Sequence, residues 1–240
     1  MDVPQLLVLA GGFGTRLKKV VSDVPKPLAQ ILNKPFIFYF IKNWERQGIK
    51  KFVFLLHYNS EMIINYITNN VNNFKKDTEI KFIVEKNPLG TAGAIKNAIF
   101  QENIEGNFLV SNGDTWIESS LNKIMPVEFP SISVIKSIKN DRFGSVKIYK
   151  NRIVSLNEKD NHAVSSFINA GIYHLHSNYF KNLADGFLSI EKDFFPIFLE
   201  KKIVRPVFLN TTFIDIGVPE DFFKFIDLIK HTKKSSSAII

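Results

Sequence analysis

The sequence predicts an α/β fold on a mostly parallel sheet, and three observations carry that reading. Short apolar runs alternate with helix-period segments through the first half, the order that builds βαβ units. The 240 residues are 45% hydrophobic, enough to bury a sizeable core as a single domain. A turn with three glycines follows the first apolar run, at the strand end where doubly wound sheets bind ligands.

The elements follow in order. Residues 5–9 are brief, apolar and bounded by turn signals, which predicts a buried strand. Residues 35–47 form a helix with Pro35 at the first position and Gly48 as the stop. A strand at 51–57 leads to a helix from Ser60 to about Asn70, with Ser60 as its cap. The polar stretch 71–78 is a surface connection to a third strand at 80–85. Pro88 and Gly90 make a turn into a helix over 91–100, and a fourth strand at 107–111 ends in Asn112-Gly113-Asp114. The second half changes character. Strands at 131–136, 145–150, 152–156 and 167–174, with Asn151 at a hairpin turn, form a smaller mixed-sheet region covering the first. Helices follow at 177–183 and 191–201, the second kinked or shortened by Pro196. Pro219 opens a last helix to about Ile229, before a tail over 231–240. The division is a first half, 1–118, a second half, 119–230, and the tail.

Composition narrows the chemistry. With no cysteine, disulfides and thiolate metal sites are excluded, so any metal must use oxygen or imidazole ligands. Lysine and arginine number 31 against 23 acidic residues, a net charge of +8, which suits anionic partners. Nucleic acid is disfavoured: the dense basic run is confined to 230–234 and no nucleic-acid motif is present. The N-terminus lacks a basic leader and its apolar run is too short for a signal peptide or a membrane span. The expectation is a cytoplasmic protein without a membrane partner. The histidines show no ligand spacing, and His162, His174 and His176 read as surface or structural groups.

Three stretches carry chemistry. Gly11, Gly12 and Gly14 let successive backbone amides form an anion-binding concavity, and Arg16 adds a cationic fork suited to phosphate. The competing reading is a plain structural turn. A dinucleotide fingerprint fits Gly12 and Gly14 but fails at Leu17, which disfavours an NAD(P)-dependent oxidoreductase. Asp114, just past a buried strand and after a glycine, is either a ligand-binding carboxylate or an exposed loop aspartate. Asp215 sits inside the apolar run Phe213 to Gly217. A buried carboxylate there needs a cation or hydrogen-bond donors, so it is either a metal ligand or a satisfied structural group.

The stretch LAGGFGTRL followed by PKPLA resembles the signature of sugar-1-phosphate nucleotidyltransferases, the nucleotide-sugar pyrophosphorylases; neither half is specific alone. The resemblance runs from Leu6 to about Phe225 and includes PLGTAG at 88–93, NGD at 112–114 and the D-x-G-x-P-E pattern from Asp215 to Glu220. It implies a Rossmann-like three-layer fold of the nucleotide-diphospho-sugar transferase, GT-A-like, type. It also implies a reaction, nucleoside triphosphate plus sugar 1-phosphate giving nucleotide sugar and pyrophosphate, as used in surface polysaccharide synthesis. By the same resemblance Arg16 and Lys26 are catalytic. Leu9, Ala10, Gly11, Gly12, Gly14 and Thr15 surround the phosphates, and Gly90 and Thr91 lie against base and ribose. Asp114 and Asp215 hold Mg²⁺. Gly144, Glu158, Asn169 and Gly171 line the sugar pocket and Lys159 holds its phosphate, although Glu158 and Lys159 read equally well as a solvated charge pair.

Within this family the chain is most similar to guanylyltransferases of D-glycero-D-manno-heptose 1-phosphate, with mannose 1-phosphate next. The short chain has no β-helix repeat, which argues against the bifunctional acetyltransferase types. Guanine presents two donors on one edge, which a carboxylate accepts in parallel; Glu85, ending the third strand, therefore favours GTP if it faces the base. UTP stays open, because similar uridylyltransferases carry a related loop. Some homologous chains are regulatory subunits without turnover; the intact set Arg16, Lys26, Asp114 and Asp215 favours an enzyme. The oligomeric state is not set by the sequence, and a homo-oligomer is compatible with it.

Overall fold

The computed structural model describes residues 3–14, 16–17, 20–21, 23–136, 143–157 and 167–235, with only the backbone of 233–235. The first half runs β1 (Leu6–Leu9), a ribbon of β2 (Gln30–Ile31) and β3 (Lys34–Pro35), α1 (Phe36–Gln47), β4 (Lys51–Leu56), α2 (Ser60–Asn69), β5 (Glu79–Val84), α3 (Gly90–Gln101) and β6 (Asn107–Asn112). Then come β7 (Thr115–Ile117), α4 (Leu121–Ile124), β8 (Ser131–Lys136), β9 (Ser145–Tyr149), β10 (Arg152–Asn157) and β11 (Phe167–His176). The chain closes with α5 (Phe195–Glu200), β12 (Arg205–Leu209), β13 (Phe213–Asp215) and α6 (Pro219–Ser235).

Strands β5, β4, β1 and β6 lie side by side in parallel, each reached through a right-sized crossover. Their side chains alternate between two cores. Leu6 and Val8 face a cluster with Phe36, Phe40 and Trp44 of α1 and Phe225 of α6. Leu7, Val53 and Leu55 face a cluster with Ala92, Ile95 and Ala98 of α3 and Phe194 and Phe195 near α5. Strands buried on both faces read as continuous apolar runs, which is why β1, β4 and β6 were legible in the sequence; β5, at the sheet edge, alternates apolar and exposed polar residues instead.

The second half does not cover the first. It continues the same nine-stranded sheet. The C-terminal half of β11 pairs antiparallel with β6, from Ile172 opposite Ser111 to His176 opposite Asn107. β11 also pairs with β8 and β9, which carry β12 and β10 respectively. A sheet edge with unpaired amides is satisfied most simply by another strand.

Local departures have local causes. Pro35 is not the first residue of α1 but its N-cap, because it is paired to Gln30 in the ribbon. Asn59, at φ 50°, precedes α2, and Ser60 is its first residue without acting as a side-chain cap. The expected helix at 177–183 is a 3₁₀ turn, Ser177–Phe180, and that at 191–201 is a π turn, Ile190–Phe194, leading into α5. Pro196 lies in the first turn of α5, where no amide is needed, so it starts the helix instead of kinking it. Strand β12 contains Pro206 yet pairs, since it borders β8 alone and its outer edge needs no donor. Helix α6 runs on to Ser235, so part of the expected tail is helical; Leu228 and Ile229 pack on the core and Thr232 donates to the Leu228 carbonyl at 2.9 Å.

Candidate active site

A cleft of about 330 Å³ opens at the carboxyl ends of β1, β4, β5 and β6. Gly11 and Gly12, Lys26 and Asp114, and Glu85 and Thr91 all line it.

The glycine loop is built for three different neighbours. A Cβ on Gly11 would sit 3.1 Å from the His57 amide nitrogen, so this glycine lets the loop lie against the end of β4. Gly14 has φ +61°, a left-handed conformation that side chains disfavour. A Cβ on Gly12 would meet nothing within 4 Å; this is the face open to a ligand. The Ala10 amide already donates to the Leu55 carbonyl at 3.0 Å, so Ala10 lines the cleft without offering a donor. Thr15 lies outside the described residues.

Charged groups gather at one end. Lys26, opening a 3₁₀ turn over Lys26–Leu28, places Nζ 2.5 Å from Asp114 Oδ2. Asp114 follows β6, and the small ribbon of β7 and β13 sets Asp215 opposite Thr115, beside it. The Gly217 amide donates to Asp215 Oδ1 at 2.7 Å. A Cβ on Gly217 would lie 2.7 Å from Asp215 Oδ1, 3.4 Å from Lys26 Nζ and 3.5 Å from an Arg16 guanidinium nitrogen. A side chain at 217 would push against the ends of the Asp215, Lys26 and Arg16 side chains where they converge. Burial raises the Asp215 carboxyl above the usual aspartate range, and the neighbouring Asp114 raises it further; the Gly217 amide, Lys26 and Arg16 oppose this only in part.

That donor set fits a hard divalent cation. Two carboxylates meet, one buried and still short of positive charge, and both are oxygen ligands. Among the described residues no group of three or more His, Cys, Asp or Glu forms a cage.

Glu85 lies at the other end of the cleft. Burial raises its carboxyl, while the Leu89 amide, donating to Oε2 at 3.0 Å, and nearby His57 lower it. One ring nitrogen of His57, Nδ1, is 3.0 Å from the Glu85 carbonyl. Two amides in the first turn of α3 are already used, Ala92 and Gly93 donating to the Leu188 carbonyl at 2.8 and 3.3 Å, and Thr91 Oγ1 accepts from the Ile190 amide at 2.7 Å. Gly90 and Thr91 still line the cleft. Their local features, however, serve the incoming chain segment: a Cβ on Gly90, at φ +69°, would meet the Leu188 carbonyl oxygen at 2.5 Å.

Gly144, Asn169 and Gly171, expected at the sugar, come together. The Asn169 amide donates to the Gly144 carbonyl at 2.9 Å, and Gly171, at φ +69°, abuts the Asn112 side chain that lines the cleft. They sit at a register shift in β11 between Asn169 and Tyr173, where its partner on one edge changes from β9 to β6. The Asn169 side chain is held inside the protein, accepting from the Gly171 amide and donating to the Tyr173 hydroxyl, both at 2.9 Å. Glu158 and Lys159 lie outside the described residues.

The sequence model of the nucleotidyl transferase family matches residues 5–232. This chain belongs to that family. It is similar to the D-glycero-alpha-D-manno-heptose 1-phosphate guanylyltransferase of Campylobacter jejuni subsp. jejuni serotype O:2, with 35% identity over 92% of this chain and 98% of the relative. The crystal structure of HddC from Yersinia pseudotuberculosis superposes with a TM-score of 0.85, at 34% identity and covering 95% of this chain and all of that one. The same protein complexed with GMP-PN gives a TM-score of 0.81 at 33% identity, again covering 95% and 100%.

As a nucleotidyl transferase, the chain has a cleft with more walls than the motifs indicated. Asn112, His57 and Phe187 line it and were not identified as site residues from sequence. Asn112 belonged to a motif read for its aspartate alone. His57 is an isolated residue after a strand, and Phe187 lies in an irregular segment; neither has a pattern to find. His174 is structural as expected, buried between Asn107 and the Val127 carbonyl and shifted down by burial. Among the described residues no helix is long and apolar enough to cross a membrane.

Proposed function

We propose that this chain is a sugar-1-phosphate guanylyltransferase that joins GTP and D-glycero-D-manno-heptose 1-phosphate, releasing pyrophosphate, in the supply of nucleotide sugar for surface polysaccharide. The observation that supports it most is the convergence of Arg16, Lys26, Asp114 and Asp215 at one end of a cleft with Glu85 at the other. The names of relatives at about 35% identity, covering nearly their full length, support the sugar and the base.

A non-bridging oxygen of the sugar phosphate attacks the α-phosphorus of GTP. The new oxygen–phosphorus bond forms as the α–β bridging bond breaks, and the electron pair leaves with pyrophosphate. The attacking oxygen is already ionised, so no general base is needed; the obstacle is repulsion between two anions. Lys26 offsets charge at the α-phosphate, while Arg16 and the amides of Gly11 to Gly14 hold the β- and γ-phosphates. Mg²⁺, held by Asp114 and Asp215, would supply positive charge to the triphosphate oxygens. Glu85 orients guanine through its N1–H and N2–H donors. Gly171, packed against Asn112, and Gly144, Asn169, Glu158 and Lys159 are assigned to the sugar phosphate.

A pyrophosphate-release panel of nucleoside triphosphates against sugar 1-phosphates tests this. Release should be greatest with GTP and the heptose 1-phosphate. Release with mannose 1-phosphate alone would change the sugar; release with UTP alone would change the base. No release with any pair would defeat the enzyme reading in favour of a regulatory binding subunit.

A further inference from the structure

Residues 183–190 form an irregular segment far in sequence from every motif, yet this segment is fastened along its length to α3. Lys96 of α3 donates to the Leu183 carbonyl at 2.6 Å and pairs with Asp185 at 2.5 Å. The Leu188 amide donates to the Leu89 carbonyl at 2.8 Å, and the Leu188 carbonyl accepts from Ala92 at 2.8 Å. Gly90 and Gly93 make the approach possible: side chains there would meet the Leu188 and Gly186 carbonyl oxygens at 2.5 and 2.6 Å. Gly186 takes φ +109°, a conformation open to glycine. So much backbone order holds up one residue between Gly186 and Leu188, Phe187. Its ring lines the cleft near Glu85 and is 70% exposed. The other exposed ring in the cleft, Phe13, rests on His57 and Tyr58 at centroid distances of 6.0 and 5.2 Å. A large apolar ring fixed in water is unfavourable unless a ligand covers it.

We propose that Phe187 is the stacking platform for the base of the bound nucleotide, and that it favours purine over pyrimidine because a purine covers more of the ring. The division of labour is physical. Glu85 reads the edge of the base, while Phe187 reads the area of its face. The proposal rests on the guanylyltransferase reading above for the identity of the base.

The test measures equilibrium binding of GTP and UTP, with pyrophosphate release, for wild type and for Phe187→Ala, Phe187→Leu and Phe187→Trp. The side chain is exposed, so these variants should keep their melting temperature. Base–aromatic stacking corresponds to a loss of about 5- to 150-fold in GTP affinity for Phe187→Ala. The KM for the sugar phosphate at saturating GTP should not change. Phe187→Trp should restore binding and Phe187→Leu should not, and the GTP preference over UTP should narrow in the alanine variant. Unchanged GTP affinity in Phe187→Ala, or full restoration by leucine, overturns the proposal while leaving the enzyme reading in place. Wild type that prefers UTP removes the guanine reading, yet the ring is still judged by UTP affinity in the same variants. Wild type that releases no pyrophosphate and binds no triphosphate removes both.

Discussion

The turn at residues 11–14 and the turn at residues 88–93 both follow a parallel strand, and both are rich in glycine. In sequence they look alike, as places where backbone can approach a ligand. In the fold they differ. At Gly12 the missing side chain leaves open space facing the cleft, whereas at Gly90 and Gly93 it leaves space that residues 186–188 fill. A glycine motif thus marks close approach without saying what approaches. The first turn faces the charged groups of the reaction. The second holds together the wall that carries Phe187, the proposed platform for the base.

This contrast assigns different readouts to damage at the two turns. The largest effect belongs to the charged group beside the first. Asp114→Asn and Asp215→Asn should each lower turnover by more than the ~10²- to 10³-fold typical of one electrostatic stabiliser. The melting temperature of Asp215→Asn should instead rise. The raised carboxyl favours its protonated form in the fold, so stability falls as pH rises from the ordinary aspartate range up to the shifted value, and the gain from asparagine should grow over that window and persist at neutral pH. Mg²⁺ should raise the melting temperature of wild type and not of Asp215→Asn. Turnover near wild type in a folded Asp215→Asn protein would return this aspartate to a structural role.

Arg16→Ala and Lys26→Ala come next, with kcat/KM for GTP falling by roughly 10²- to 10³-fold and folding intact. If either lost stability instead of activity, the first turn would be as structural as the second.

Glycine substitutions sharpen the contrast directly. Gly90→Ala must force a left-handed alanine and displace the Leu188 carbonyl, for about 2–4 kcal/mol of stability, read by denaturant unfolding. Gly12→Ala should stay within about 0.5 kcal/mol of wild type in stability and lose GTP turnover. Equal stability losses at the two sites would erase the distinction drawn between the turns.

Glu85→Gln is the smallest and most selective change. Swapping one acceptor for a donor should reduce GTP use by about 1–3 kcal/mol, roughly 5- to 150-fold, with UTP losing less. Because burial raises the Glu85 carboxyl, GTP affinity should fall on acidification at a higher pH than an exposed glutamate gives, and this limb should vanish in the glutamine variant. An unchanged GTP-to-UTP ratio would mean that Glu85 does not read the base.

How far the sequence reached follows from what each feature depends on. The strands at 6–9, 51–56 and 107–112 were legible because a parallel strand buried on both faces needs an apolar run, and the edge strand at 79–84 because Ile80, Phe82 and Ile83 stand among exposed charged residues. The charged set Arg16, Lys26, Asp114 and Asp215 was singled out because its motifs resemble those of the family; local sequence left Asp114 and Asp215 open between ligand and structural roles. Strand β12 was missed because Pro206 argues against a strand until its outer edge is known to be free. That Asp215 stands beside Asp114 was decided by the ribbon of β7 and β13, two short pairings whose register no local pattern carries.

What the sequence by itself determined is therefore the chemistry and the layered core, since both are written in residue types and in periodicity. What only the tertiary structure decided is which surfaces those residues meet. The second half continues the sheet because β11 pairs with β6. The Ala92 and Gly93 amides of α3 are occupied because Leu188 lies on them. Phe187 reaches the cleft because that segment is held there. Each depends on contacts between residues distant along the chain, and such contacts leave no periodic trace in the sequence.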